Sequence, residues 1–333
     1  MTETAQPSDD RPPMIVITGP TAGDKSGLAL ALAEAFDGVI INADSMQVYR
    51  ELRILTARPG AETLARAPHR LYGVLPGREP CSAGRWREMA LDEIAAARSE
   101  GRLPLVVGGT GLYLRALAEG LAPVPSVPEA VREAARALYD KLGGAAFHAE
   151  LATRDPVMAA RLEPGDSQRL VRAWEVLEAT GRSLADWQAK DGASDGAPGG
   201  ASDGAPARIL RLVCLPPRPA LYAACDARLR AMVENGAIEE VRALRALDLD
   251  PRLPVMKALG VRELGRHLDG TLSLDDAIAR TQQATRNYAK RQMTWLRTQT
   301  APDGPRAVTL NEQYSKSLDP KIFPIIRRFL LTG

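Results

Sequence analysis

Apolar residues fall in two rhythms along this chain. Short unbroken runs, Met14-Ile15-Val16-Ile17, Val39-Ile40-Ile41-Asn42 and Leu103-Pro104-Leu105-Val106-Val107-Gly108-Gly109, alternate with stretches of helical spacing such as Leu28 to Phe36 and the one beginning near Leu112. A short apolar run bounded by turn residues suits a strand buried on both faces, and strands alternating with helices predict a parallel sheet under a helical cover. The alternation lasts from Ile15 to Gly120, where Pro123, Pro125 and Pro128 interrupt it. From Pro128 to about Ala189 the pattern is helical throughout, with Val171, Trp174, Val176 and Leu177 at helix spacing. Ile209 to Leu215 returns to strand character, and Arg218 to Leu247 and Leu274 to Arg297 read as two further helical stretches. The expected organisation is an α/β core over 14–122 and 208–300, an all-helical insertion over 123–190, a linker over 191–207, and tails over 1–13 and 305–333. The second tail ends in a short amphipathic segment, Ile322 to Leu331.

Composition adds limits to this picture. Asp191 to Ala207 contains only Gly, Ala, Ser, Asp and Pro, and Gly-Ala-Ser-Asp-Gly-Ala-Pro occurs twice, from Gly192 and from Gly200; such a segment has no apolar area to bury and is expected to be a disordered linker. The 333 residues are 45% hydrophobic and 25% charged, an ordinary globular balance, and are enough for a sizeable core. A net charge of +2 excludes a global basic footprint, so nucleic acid would need a local patch. Cys81, Cys214 and Cys225 are odd in number and lack metal-ligand spacing, which suggests free thiols in a reducing cytoplasm. The polar, acidic first 13 residues lack a signal-peptide pattern, and no run of eighteen apolar residues predicts a membrane span.

Candidate chemistry gathers after the strands. Gly19-Pro20-Thr21-Ala22-Gly23-Asp24-Lys25-Ser26 follows the first strand and opens a helix. It matches the phosphate-binding loop G-x-x-x-x-G-K-[ST] except at Asp24, where the pattern has glycine. Backbone N–H groups and a helix N-terminus would face an anion, with Lys25 on terminal phosphate oxygens and Ser26 on Mg²⁺. Asp44, in Ala43 to Tyr49 after the second strand, is aimed at the same crevice; it could accept a proton, bind Mg²⁺ through water, or simply cap a helix. Val107 to Tyr113 is a second Gly-rich strand-to-helix turn, in which Thr110 and nearby N–H groups could hold a polar group or merely form a tight turn. Arg169 and Arg172 share one helix face and suit phosphate or base stacking, or a solvated basic face. Arg286, Lys290, Arg291 and Arg297 interleave with Tyr288 and Trp295, a combination suited to single-stranded RNA or, for the apolar members, to the core.

In this order, Gly19 to Ala22, Ala43 to Tyr49, Ser82 to Gly84, Val107 to Tyr113, Gln168 to Ala173, Thr180-Gly181, Gly260 to Leu264 and Thr285 to Trp295 resemble the tRNA dimethylallyltransferase (tRNA isopentenyltransferase) family across nearly the whole folded chain. The resemblance implies a P-loop NTPase-like fold, Mg²⁺, and transfer of a dimethylallyl group from dimethylallyl diphosphate to N6 of the adenine 3′-adjacent to the anticodon in tRNAs reading codons that begin with U. It implies that Gly19 to Ser26 bind diphosphate rather than ATP, although the loop pattern alone reads as nucleotide-binding, and that Thr21 lines the allyl and diphosphate site. It also implies that Asp44 orients the amine and takes its proton, with Lys25 and Ser26 stabilising the leaving group. Asp44, Ser45, Met46, Gln47 and Thr110 would contact tRNA near the target base; Gln168, Arg169, Leu170, Val171 and Arg172, with Arg132, would contact the anticodon stem-loop from the insertion. A monomer is the expected state.

Three departures bear on activity. Asp24 replaces a loop glycine and brings negative charge to a pyrophosphate site. Leu55 stands for Gly in Leu55-Thr56-Ala57-Arg58-Pro59, and Ala224 for Arg in Leu221-Tyr222-Ala223-Ala224, with Arg228 one turn on as a partial substitute at the diphosphate. The alternatives to an active transferase are a tRNA-binding relative with weakened or lost transfer and a small-molecule P-loop kinase.

Overall fold

Each apolar run becomes a strand because it has a hydrophobic layer on both sides. The structure, a computed structural model, describes residues 11–192, 207–299 and 306–332. In chain order it begins β1 (Pro13–Thr18), α1 (Lys25–Ala35), β2 (Gly38–Asn42), α2 (Ala61–Arg66), β3 (His69–Arg70), α3 (Ala83–Ser99), β4 (Leu103–Gly108) and α4 (Gly111–Glu119). Then come α5 (Glu129–Arg154), α6 (Pro156–Ala159), α7 (Ser167–Thr180) and α8 (Leu184–Gly192). The chain continues with β5 (Arg208–Cys214), α9 (Arg218–Glu234), α10 (Ala237–Arg245), a 3₁₀ turn at Pro254–Lys257, α11 (Val261–Leu268) and α12 (Leu274–Gln299). It ends in β6 (Ala307–Leu310), a 3₁₀ turn at Lys316–Leu318 and α13 (Asp319–Leu331). Two compact units result, Met1–Glu119 with Ala205–Gly333, and Gly120–Gly204.

The first unit holds a six-stranded sheet in the order β3-β2-β4-β1-β5-β6, with every neighbouring pair parallel. Side chains alternate along each strand. Met14, Val16, Val39, Ile41 and Val106 therefore point to one face, where residues of α3, α4, α10 and α11 cover them. Ile15, Ile17, Ile40, Leu105 and Val107 point to the other face, covered by α1 and α13. This is the helix-covered parallel sheet that the strand–helix alternation predicts, in the P-loop NTPase-like arrangement that the resemblance implies.

The segment expected to be a tail is part of this core. β6 pairs with β5 from Arg211↔Ala307 to Cys214↔Leu310, and Ile322, Ile326 and Phe329 of α13 are buried against the sheet. Arg208 of β5 fixes the far end of α13 by donating to the Phe329 carbonyl at 2.8 Å and to the Thr332 carbonyl. The stretch from Arg218 to Leu247 is two helices, α9 and α10, because Gly236 adopts φ 99° between them. Pro13, read as the end of the other tail, opens β1, and the linker expected at 191–207 falls mostly outside the described residues.

The second unit has its own core. Phe147, Leu151, Met158, Leu170, Ala173 and Trp174 pack together, with the Phe147 and Trp174 rings 5.2 Å apart. Leu170 is completely buried and Val171 packs against the same cluster. The Leu170 side chain therefore fills this core and cannot be the tRNA contact expected of it, whereas Val171 is only partly buried. Gln168 and Arg169 are exposed on α7, and Arg172 lies 3.4 Å from Glu175. Arg132 pairs with Glu129 at 3.6 Å.

Candidate active site at the carboxyl edge of the sheet

Three loops leave adjacent strands at one level. Thr18 of β1 sits beside Gly108 of β4, and Asn42 of β2 sits beside Val107. The loop after β1, the turn after β4 and the turn after β2 thus begin together at the carboxyl edge, where ligands of open α/β sheets bind. Glycines permit the close approach. A Cβ on Gly19 would stand 2.5 Å from the Cys214 carbonyl, and one on Gly111 would stand 2.5 Å from the Trp295 ring. Gly108 lies against the Ala43 backbone and Gly109 within reach of the Gly19 carbonyl. The Gly-Gly-Thr-Gly turn is therefore glycine-rich for packing first, and Thr110 carries its polar chemistry.

Lys25 and Ser26 open α1 at the end of the phosphate-binding loop. Lys25 folds its ammonium back onto the Pro20 carbonyl at 2.7 Å, and Gly23 N–H donates to the same carbonyl at 3.1 Å. Burial lowers the Lys25 pKa to about 8, against the opposing influence of Cys214 and Asp44. Asp24 takes the left-handed backbone conformation, φ 56° and ψ 34°, that the loop pattern reserves for glycine. Ala22 is left-handed as well, at φ 59°. The Asp24 carboxylate turns onto the first turn of α1, its Oδ1 2.9 Å from where a Cβ on Gly27 would stand. Desolvation there raises its pKa, outweighing the Gly27 N–H and Lys25.

Thr21 is gripped from outside the loop. The Arg228 guanidinium donates to its hydroxyl, the Cys225 thiol approaches its carbonyl at 3.9 Å, and its N–H donates to Gln292 Oε1 at 2.8 Å. Burial lowers the Arg228 pKa, so this cation stands in a largely dry position. Arg228, one turn after Ala224, thus brings a cation against this loop.

Asp44 is held by its own neighbourhood. Fully buried Asn42 accepts from Asp44 N–H at 2.8 Å and donates to the Asp44 and Leu71 carbonyls at 3.0 Å each. Trp86 donates to the Asn42 carbonyl at 2.8 Å, and its ring stacks on Tyr113 at 4.5 Å. Asp44 Oδ1 accepts from Met46 N–H at 2.9 Å, the local turn-capping role, while the carboxylate also lies within electrostatic reach of Lys25 and Arg228. Ser45 N–H donates to Thr110 Oγ1 at 3.0 Å, which ties the second turn to the third. Beside Thr110, burial and the Asp44 charge push the ionisation of the Tyr288 phenol up.

Met46 packs against the core, and Gln47 Nε2 is engaged by the Thr56 and Ala57 carbonyls at 2.7 and 3.2 Å, so both are partly spent on structure. The next loop is clamped by Glu240, whose carboxylate accepts from the N–H groups of Arg53, Ile54 and Leu55. Leu55 keeps a negative φ and packs over Gly260, so replacing glycine there costs no left-handed strain. On α12, Arg286 is bound to Asp226 at 2.6 Å, whereas Lys290, Arg291, Thr294 and Trp295 line an open groove.

The structure brings Thr21, Lys25, Asp44, Thr110 and Arg228 to one edge, and sequence reasoning did not single out Asn42 and Gln292. Each is a primary amide in an otherwise apolar or basic segment, and a polar residue ending a buried strand is the signal that marks Asn42.

Among the described residues no three His, Cys, Asp or Glu side chains converge as a metal cage. Mg²⁺ bound beside phosphates needs only one or two protein oxygens. The exposed Ser26 hydroxyl and the Asp44 carboxylate fit that requirement.

The fold and site define an α/β protein with a phosphate-binding-loop pattern between β1 and α1, whose Lys25 lies within electrostatic reach of the Asp44 carboxylate. The family model described as IPP transferase matches residues 47–299, and the chain belongs to that family. A protein named tRNA dimethylallyltransferase from Rhodospirillum centenum is 61% identical over 87% of this chain and 90% of its own. One of the same name from Paramagnetospirillum magneticum is 56% identical over 96% of this chain and 98% of its own. Among solved structures, a eukaryotic dimethylallyltransferase acting on tRNA superposes with a TM-score of 0.78 at 25% identity, covering 96% of this chain and 79% of the other. The tRNA isopentenylpyrophosphate transferase of Bacillus halodurans superposes with 0.65 at 28% identity, covering 96% and 97%.

Proposed function

We propose that this chain transfers the dimethylallyl group of dimethylallyl diphosphate to N6 of the adenine 3′-adjacent to the anticodon, in tRNAs reading codons that begin with U. The carrying observation is that the anion loop with Lys25 and Arg228 faces the Asp44 turn at one sheet edge, in a member of the IPP transferase family. The acceptor is extruded from its stack to reach that edge, at a cost of about a few kcal/mol. The bond between the allyl carbon and the diphosphate oxygen breaks, its electron pair leaving with the diphosphate. The N6 lone pair forms the new carbon–nitrogen bond, and the N6 proton passes to Asp44. Lys25, Arg228 and the loop N–H groups stabilise the charge that develops on the leaving oxygen. Ser26, with Asp44 through water, would hold Mg²⁺, which supplies further neutralisation of the diphosphate. Thr110 and the turn from Asp44 to Gln47 lie at the acceptor side, and Gln168, Arg169, Arg172 and Arg132 supply polar contacts for the anticodon stem-loop. The reading has one chain working as a monomer in the cytoplasm, where its tRNA acceptor is.

The test is direct: incubate the protein with undermodified tRNA, dimethylallyl diphosphate and Mg²⁺, then analyse the nucleosides. N6-isopentenyladenosine is the expected product. Intact tRNA binding without it would favour a relative that has lost transfer, for which the charge of Asp24 is the supporting observation. Phosphorylation of a small molecule from ATP would favour a kinase.

A further inference from the structure

Of the three contacts that grip Thr21, one also reaches a second loop. Gln292 lies on α12, 7% exposed, and is 271 positions from Thr21 and 183 from Gly109. Its Oε1 accepts from Thr21 N–H at 2.8 Å, and its Nε2 donates to the Gly109 carbonyl at 3.0 Å. A primary amide offers an acceptor and a donor from one rigid plane, which a carboxylate, an amine or a hydroxyl cannot do in the same geometry. Arg228 and Cys225 also hold Thr21, but both come from α9 and neither bridges to the Gly109 turn.

The fit is close on every side. A Cβ on Gly109 would stand 2.9 Å from the Gly19 carbonyl and nearer still to the Gln292 amide. One helical turn further on, Trp295 underlies Gly111, so α12 supports the whole turn from Gly109 to Gly111. Thr110, inside that turn, accepts from Ser45 N–H, the residue after Asp44. A continuous chain of bonds therefore runs from the anion loop through Gln292 to the Asp44 turn.

We infer that Gln292 is a positioning residue for the transfer: its amide fixes the spacing between the loop holding the leaving diphosphate and the turn holding the acceptor side. The inference rests on the transferase reading of this site. Reacting atoms must lie about 3–3.5 Å apart, and a misplacement of about 1 Å can cost about 100-fold in rate. Loosening one bridge between two otherwise intact half-sites therefore acts on kcat and spares binding.

The experiment compares Gln292→Met, which loses both bonds at similar volume, with Gln292→Glu, which keeps an acceptor for Thr21 and loses the donor to Gly109. Two readouts are needed: steady-state transfer with tRNA and dimethylallyl diphosphate, and hydrogen exchange at the Thr21 amide. In Gln292→Met, kcat is expected to fall about 10- to 100-fold with the diphosphate KM and the tRNA Kd within about threefold, and Thr21 exchange to rise about tenfold or more. In Gln292→Glu, Thr21 stays protected and kcat still falls about tenfold. Unchanged Thr21 exchange in Gln292→Met would remove the bridge, and wild-type kcat in both variants would remove its role. A raised KM at constant kcat would make Gln292 a binding residue instead. Should Gln292→Met not fold, the near-isosteric Gln292→Glu decides by its kcat alone. A wild-type protein without transfer but with a protected Thr21 amide would sink the transferase reading and leave the bridge standing.

Discussion

The guanidinium of Arg228 donates to the hydroxyl of Thr21, so a cation from α9 enters the loop that follows β1. Thr21 occupies little of it: a guanidinium has five donors and matches phosphate oxygens in a planar fork. Burial lowers its pKa, which makes the unliganded site electrostatically costly and primes it for an anion. Arg228→Ala is expected to lower kcat/KM for dimethylallyl diphosphate about 10- to 100-fold, in keeping with about 1.5–3 kcal/mol for a hydrogen bond to a charged group. Arg228→Lys should restore part of that loss. Thermal unfolding supplies the contrast: an Arg228→Met protein should melt no lower than wild type, because a desolvated charge has been removed.

The pH dependence of the reaction should follow Lys25. Its pKa in the folded protein is about 8, against 10.5 for an ordinary lysine. Between those values the unfolded chain holds a proton that the folded protein lacks, so this group's contribution to stability rises with pH across that window. Under the proposed transfer activity runs the opposite way, because only the ammonium would stabilise a leaving diphosphate. kcat/KM for the allylic diphosphate should decline above pH of about 8, while kcat declines at higher pH because bound diphosphate favours the charged form. Lys25→Arg, which keeps its proton, should lose the alkaline decline. A flat profile to pH of about 9.5 in wild type would show that the ammonium is not required.

Periodicity made the sheet legible because the central strands are unbroken apolar runs; Val39 to Ile41 and Leu103 to Val107 leave little choice. It failed at the edges. β3 is two residues long, and β6 is mostly half-buried, so neither carries enough apolar signal to stand out. At the site, residues acting through spacing rules were visible: Lys25 by its loop, Asp44 and Thr110 by following strands. Gln292 acts through contacts with residues distant in sequence, which no local pattern encodes, and Asn42 shows only as a polar residue ending a buried strand. Leu170 shows the reverse error. A run matched as a block was assigned one role, whereas helical geometry divides it between an outer face and the core.

Asp24 departs from its loop pattern in two separable ways, conformation and charge. Its φ of 56° is a region where glycine is unstrained and other residues lose up to about 1–2 kcal/mol, aspartate less than most. Its carboxylate lies on the first turn of α1, the helix whose N-terminus would face the diphosphate in the proposed transfer. Two unit charges about 4 Å apart repel by about 4 kcal/mol at an effective dielectric near ~20. Asp24→Gly should therefore lower the KM for dimethylallyl diphosphate several-fold and raise the melting temperature slightly. Asp24→Asn tolerates the same backbone and lacks the charge, so it should lower KM without the gain in stability. An unchanged or higher KM in both variants would show that the carboxylate does not oppose the substrate.

In the proposed transfer the N6 proton passes to Asp44, and Asn42 is the group that holds Asp44. The amine of adenine is a weak nucleophile because its lone pair is delocalised into the ring, so a base within reach of N6 matters most as the new bond forms. Asp44→Asn preserves the cap on Met46 and the bonds to Asn42 but cannot take the proton; transfer is expected to fall about 100- to 10,000-fold with tRNA affinity unchanged. Wild-type rates in that variant would remove the base assignment. Asn42→Ala removes three hydrogen bonds around Asp44 and leaves the Asp44 and Leu71 carbonyls without the donor they share. Each orphaned buried group costs about 1–3 kcal/mol, so the variant should lose stability as well as rate. The two variants are then distinguished by melting temperature: Asp44→Asn loses rate alone, and Asn42→Ala loses both. A stable Asn42→Ala protein with full activity would show that the turn holds Asp44 without help from β2.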